Sequence, residues 1–270
     1  MPAPGGGDTS AEMLYSIHRS RARPWLIQPW VRLMRQRKRR AILLAVVLLS
    51  LFVSVSAFAA DQSCGEPAVN LSELLLAPPK PGSSETRAEL RELQRLQESR
   101  TATTANHARA DHQRTIERFL DPIGIKLHDL PSSTADFFKC VARLTEQKVQ
   151  EAKITFKRSR PYKLPHNRLH VLKTIGMDDS FSYPSGHAAY GMVTGLILSA
   201  MLPEKRDVIQ RRIEDFGYSR LVSGVHFRSD VYAGQISGAA VATAFFENAT
   251  FRDAFQKAKI DLRTTAGYQP

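Results

Sequence analysis

Residues 183–202 read YPSGHAAYGMVTGLILSAML, and the character of this stretch decides the fold. After the turn-forming Pro184-Ser185-Gly186-His187 comes a run of small and apolar residues, Ala188 to Leu202, closed by Pro203. The run shows no period-two alternation and is too long for an ordinary strand, so it predicts a helix. It is apolar on all sides, which marks a buried helix, and at about 15 residues it is short for a membrane span. A second run of the same kind, Ala233 to Phe246, predicts a second buried helix.

Working outward, Thr134 to Phe156 places Phe137, Phe138, Val141, Leu144, Val149, Ala152 and Phe156 on one stripe at the helical period. Glu85 to Arg118 is polar and rich in helix formers, with Leu90, Leu93 and Leu96 spaced for one face. Asp61 to Ser84 carries Pro67, Pro78, Pro79, Pro81, Gly65 and Gly82, which predicts an extended arm or loop. Convincing strand alternation is absent. The expected fold is all-α, one compact helical domain over 85–270 preceded by a Pro-rich arm over 60–84.

The N-terminus reads as an address. A basic block, Arg35 to Arg40, precedes the apolar run Ala41 to Phe58 and the small residues Ala57, Ala59 and Ala60, the pattern of a signal peptide over 34–59. A retained anchor is the alternative, because such a run is just long enough to span a bilayer. As an n-region, residues 1–33 are too long, so they are expected to be over-annotated or disordered sequence ahead of a start at Met34. Export implies an oxidising compartment, in which Cys64 and Cys140 can be bridged; two unconnected thiols are the other reading.

The formal charge of +12 invites a nucleic-acid partner, but its distribution argues against one. Residues 1–40 hold nine Lys/Arg against Asp8 and Glu12, and residues 41–60 hold no charge, so the rest of the chain is only mildly basic. An anionic small molecule accounts for that surplus.

Chemistry is concentrated between Lys153 and Asp230. Lys153 is followed after six residues by Arg160-Pro161; then come Pro184-Ser185-Gly186-His187, Ser219-Arg220, His226 and Asp230. Arg160 and Arg220 offer planar forks for phosphate oxygens, and Lys153 adds a point charge. Pro184 to His187 sits where a helix begins, and free N–H groups there seat an anion. Gly186 lets an oxyanion approach the backbone, and Ser185 can donate its hydroxyl or cap the helix. His226 and Asp230 lie four apart, so a helix would place both on one face, the carboxylate fixing the imidazole tautomer. His187 is then a second imidazole that can protonate a leaving group. Singly, an Arg-Pro or a Ser-Gly-His is more often a turn than a site; together and in this order they specify a site. His107, Asp111 and His112 raise a metal site, but a solvated helix face produces such clusters readily and no further ligand pattern supports it.

This pattern resembles the three-part signature of the type 2 phosphatidate phosphatase and vanadium haloperoxidase superfamily. Ser182-Tyr183, Ser219 to Gly234 and Leu74 to Pro79 look closest to the class A bacterial non-specific acid phosphatases. The resemblance implies an all-helical fold and hydrolysis of phosphomonoesters with no metal or other cofactor. It implies His226 as nucleophile, Asp230 as its orienter and His187 as acid and base, with Lys153, Arg160, Ser185, Gly186 and Arg220 holding the phosphoryl group. Phe181, where Gly is expected, and Ala188, where Thr is common, depart from the pattern as changes at the pocket edge. The implied protein is periplasmic or secreted, acts on small phosphomonoesters of broad range, and touches membrane only through an uncleaved signal; relatives often form homo-oligomers. A vanadium-dependent haloperoxidase with vanadate on His226, a membrane lipid phosphatase, and an inactive phosphate-binding relative are the competing readings.

Overall fold

The computed structural model describes residues 64–165, 168–172 and 180–269, all within one compact unit, Phe58–Pro270. The expected signal segment and the extension before it lie outside the described residues. Among the described residues all regular structure is helical: α1 (Leu71–Leu74), α2 (Ser84–Glu98), α3 (Ala102–Ala110), α4 (Glu117–Leu120), α5 (Ser132–Phe156), α6 (Gly186–Met201), α7 (Arg206–Val222), α8 (Arg228–Glu247) and α9 (Ala249–Thr265). The all-α expectation holds, and none of these helices is long and apolar enough to cross a membrane.

Local chemistry sets the helix ends. Ser83 caps α2 through Thr86 N–H at 3.2 Å, Thr101 and Thr104 cap α3 reciprocally, and Asn248 caps α9 through Phe251 N–H at 3.1 Å. Pro203 follows the last residue pair of α6 and stops it. The polar segment after Glu85 is broken at Ser99 and again at Asp111, because Thr101 starts a fresh helix there and Asp111 turns its side chain inward.

The two small-residue helices form the centre. α6 packs on α5, α7 and α8, and its contact with α8 is close because Gly234 and Gly238 present no side chain. A Cβ built on Gly234 would lie 2.4 Å from the Ser185 carbonyl oxygen, and one on Gly238 would lie 2.4 Å from that of Ala189. Around this pair the core holds Phe119, Phe216, Phe245 and Phe251 with almost no exposure, each burial contributing roughly 2–3 kcal/mol.

The Pro-rich arm differs from the expected loop. It contains α1, capped by Asn70, and it is bound to the body from Cys64 to the Leu76 carbonyl. Leu71 is buried, Ser72 bonds Thr155 at 2.9 Å, Glu66 pairs with Lys148 at 3.0 Å, and Tyr183 donates to the Leu76 carbonyl at 2.7 Å. Cys64 and Cys140 form a disulfide that ties the arm to α5.

Candidate active site

Four segments bring the signature residues to one cavity of about 170 Å³. The last turn of α5 supplies Lys153, and Lys157 in the left-handed conformation (φ 49°) then turns the chain toward Arg158 and Arg160. The start of α6 supplies Gly186 and His187, the end of α7 supplies Arg220, and the connection to α8 supplies Val225 and His226. The three expected phosphate-binding cations are each at least 94% buried, with Lys153 2%, Arg160 6% and Arg220 4% exposed. Cations removed from bulk water act on an oxyanion far more strongly than exposed ones.

His226 is held at both nitrogens. Its Nδ1 lies 3.3 Å from Asp230 Oδ2, and its Nε2 lies 3.1 Å from Arg160 Nη1. An arginine N–H only donates, so Nε2 meets it as the lone-pair nitrogen, and the proton belongs on Nδ1 facing the carboxylate. The geometry behind this differs from a shared helix face. His226 precedes α8, and Asp230 stands in the first turn, where its carboxylate also accepts the Phe227 N–H at 2.8 Å. One carboxylate therefore secures the start of a helix and orients an imidazole.

Asp230 does not line the cavity; it sits behind His226, fully buried. Arg158 donates to its Oδ1 at 2.6 Å, and Ser182 donates to Oδ2. Arg158 also reaches Glu89 at 2.9 Å and Ser229 at 2.7 Å, and Glu89 accepts the Ser229 N–H at 2.6 Å. This chain of bonds fixes the carboxylate from the side away from the cavity.

Ser185 takes the capping role that its place before the helix allows. Its hydroxyl caps α6 at the Ala188 N–H (3.4 Å), its own N–H donates to the Asp230 carbonyl (2.9 Å), and it does not line the cavity. Gly186 and His187 open the helix, so their N–H groups lack a carbonyl one turn earlier. Phe181, partly exposed, offers its carbonyl to Lys153. Ala188 is not at the pocket edge: it is buried with Leu93, Leu221, Phe227 and Val231.

His187 faces a cationic setting. Burial first, then the Arg220 and Arg114 cations, hold its pKa well below the usual histidine range, with the His112 carbonyl acting in the opposite direction. Nε2 lies 2.8 Å from that carbonyl and must donate to it, which leaves Nδ1 as the nitrogen that gains and loses a proton. The ring stacks with His112 (5.8 Å, 28°) and with Phe216 (6.1 Å, 25°).

Two charged residues outside the signature also line the cavity, Arg114 and Glu146, paired with each other. Glu146, Gln150 and Lys153 recur at helical spacing on α5, a signal present in the sequence; nothing near Arg114 marks it. The possible metal ligands resolve otherwise. Asp111 is taken up by Arg118 (2.7 Å), Arg212 and Ser219 (2.6 Å), and among the described residues no group of three or more His, Cys, Asp or Glu could hold a metal.

Residues 139–253 match the PAP2 superfamily, the superfamily that the signature resembles. Over 78 residues the chain is 41% identical to a non-specific acid phosphatase of Providencia stuartii, covering 29% of this chain and 32% of that protein. Over 130 residues it is 34% identical to a non-specific acid phosphatase of Salmonella typhimurium, covering 46% and 51%. An acid phosphatase of Zymomonas mobilis is 33% identical over 136 residues, covering 49% and 52%. The chain thus matches between about a third and a half of the length of these relatives.

Proposed function

We propose that this chain is a periplasmic or secreted acid phosphatase, cleaving phosphomonoesters through a phosphohistidine on His226 with no metal or other cofactor. The observation that carries the reading is the series Asp230–His226–Arg160, 3.3 and 3.1 Å, which brings His226 to the wall of a cavity lined by the buried cations Lys153, Arg160 and Arg220. Binding alone would need only the cations; an imidazole with an oriented lone pair adds a nucleophile. The relatives named acid phosphatases support the same reaction, and the disulfide suits an oxidising compartment.

In the first step the phosphoryl group enters among Lys153, Arg160, Arg220 and the first turn of α6. The lone pair on His226 Nε2 forms a bond to phosphorus while the bond from phosphorus to the ester oxygen breaks. That oxygen takes a proton from His187 Nδ1 and leaves as the alcohol. Asp230 stabilises the positive charge that develops on His226. In the second step a water attacks phosphorus, gives its proton to His187, and the P–N bond breaks to return His226 and release phosphate. Most of the rate gain comes from the fixed cations around the equatorial oxygens. They touch the phosphoryl group and not the alcohol, which favours a broad substrate range.

The test is hydrolysis of an aryl phosphate across pH 4–8 with excess chelator, beside His226→Ala. The proposal expects chelator-resistant turnover, inhibition by vanadate, no turnover by the variant at any pH in the range, and 32P from labelled substrate trapped on His226 after quenching in alkali. Turnover that persists in His226→Ala would overturn the mechanism.

A further inference from the structure

We infer that Asp111, which does not line the cavity, is a positioning residue that holds His187 and Arg220 in register with each other. The kinetic part of this inference rests on the phosphatase reading above; the geometric part does not.

Asp111 ends α3 and is completely buried. Its Oδ1 accepts Arg118 Nε at 2.9 Å and Nη2 at 2.7 Å, and also Arg212 Nη2. Its Oδ2 accepts Arg212 Nη1 at 3.1 Å and the Ser219 hydroxyl at 2.6 Å, with His107 Nε2 at 3.3 Å. Burying a carboxylate with two guanidinium groups gains little stability over an apolar cluster of the same volume. The helices α3, α4 and α7 could be joined more simply, so the arrangement calls for a reason other than packing.

The chain neighbours of this hub supply one. His112 follows Asp111 directly; its carbonyl receives His187 Nε2–H at 2.8 Å and its ring stacks on one face of His187. Ser219 precedes Arg220 directly. Arg212 lies over the Phe216 ring at 5.1 Å, and Phe216 also stacks with His187, its centroid 6.1 Å away. The Nε2 of the general acid and both of its stacked ring neighbours are therefore set by residues held at one carboxylate, as is the backbone from which Arg220 projects. A carbonyl fixed at Nε2 leaves only Nδ1 for proton transfer, so releasing it would let the ring turn over or change tautomer.

Asp111→Asn keeps the shape and removes the charge that holds Arg118, Arg212 and Ser219. Two readouts separate positioning from general destabilisation. The first is imidazole 15N NMR of the full chain without substrate, with His187 assigned by His187→Gln. His187 is expected as the Nε2–H tautomer in the parent and as a mixture in Asp111→Asn. The second is turnover of 4-nitrophenyl phosphate, whose leaving group needs little protonation, against a simple alkyl phosphate, which needs it. The alkyl substrate is expected to lose at least about tenfold more than the aryl one. An unchanged His187 tautomer, or equal losses on both substrates in a folded variant, would overturn the inference. Should Asp111→Asn fail to fold, Ser219→Ala removes one bond to the same carboxylate and is expected to move both readouts in the same direction by less; no movement in either would again overturn it. A parent protein that hydrolyses neither ester would refute the phosphatase reading, and the tautomer measurement would still decide the positioning role.

Discussion

Gly234→Ala puts the contact between α6 and α8 to a quantitative test. The added methyl would lie 2.4 Å from the Ser185 carbonyl oxygen and 2.8 Å from the Ala188 side chain. Bringing the first contact out to about 3.2 Å requires α8 to retreat by about 0.8 Å, or the Ser185 turn to move by as much. Overpacking of this size costs about 1–3 kcal/mol, offset by about 1 kcal/mol of helix propensity, for a net loss of roughly 0–2 kcal/mol. The Ser185 turn carries Gly186 and His187, and Ser185 N–H bonds the Asp230 carbonyl at 2.9 Å, so the displacement falls on the reacting groups. A misplacement near 1 Å costs on the order of a hundredfold in rate. Gly238→Ala is the control. Its methyl would meet the Ala189 carbonyl oxygen at the same 2.4 Å, one turn farther from the cavity. Urea denaturation and kcat/KM on an aryl phosphate, measured for both, give the answer. Similar losses of stability are expected, with activity reduced about a hundredfold at 234 and only a few-fold at 238. Equal losses of activity at the two positions would refute the reasoning.

Three further outcomes follow from the structure. Replacing Cys64 and Cys140 together by Ala opens a link spanning 76 residues, with an expected loss of about 4 kcal/mol on the chain-entropy account, read as a lower denaturation midpoint with turnover retained at low temperature. His187 is held below its usual pKa by burial, Arg220 and Arg114, so in the free enzyme its protonated form is lost at low pH; a bound phosphate dianion opposes those cations and raises the pKa. The alkaline limb is therefore expected at higher pH in the kcat profile than in the kcat/KM profile, and coincident limbs would contradict the assignment. Glu146→Gln removes the carboxylate paired with Arg114 at the cavity wall, and inorganic phosphate should then inhibit roughly three- to tenfold more tightly at the same pH and salt, a change that a purely structural pair would not produce.

Much of this protein was legible in the sequence. The runs Ala188 to Leu202 and Ala233 to Phe246 were legible as helices that pack in the core, although Ile236 of the second leaves its side chain exposed. The signature residues were picked out as one site by side-chain type and spacing. Lys153, Arg160, Gly186, His187, Arg220 and His226 do line one cavity. Tertiary structure decided the rest. It turned Ala188 inward and placed His226 before its helix, so that Asp230 reaches it from the first turn and not along a shared face. It also joined Arg114 to Glu146 across 32 residues and Asp111 to Arg212 across 101. Periodicity and capping act over a few residues along one element, whereas a cavity wall is assembled from segments whose separation in the chain carries no local signal. The sequence by itself determined which elements form and which side chains gather at the cavity. Which polar groups stand beside that chemistry, and hold it still, was settled only by the packing of the helices.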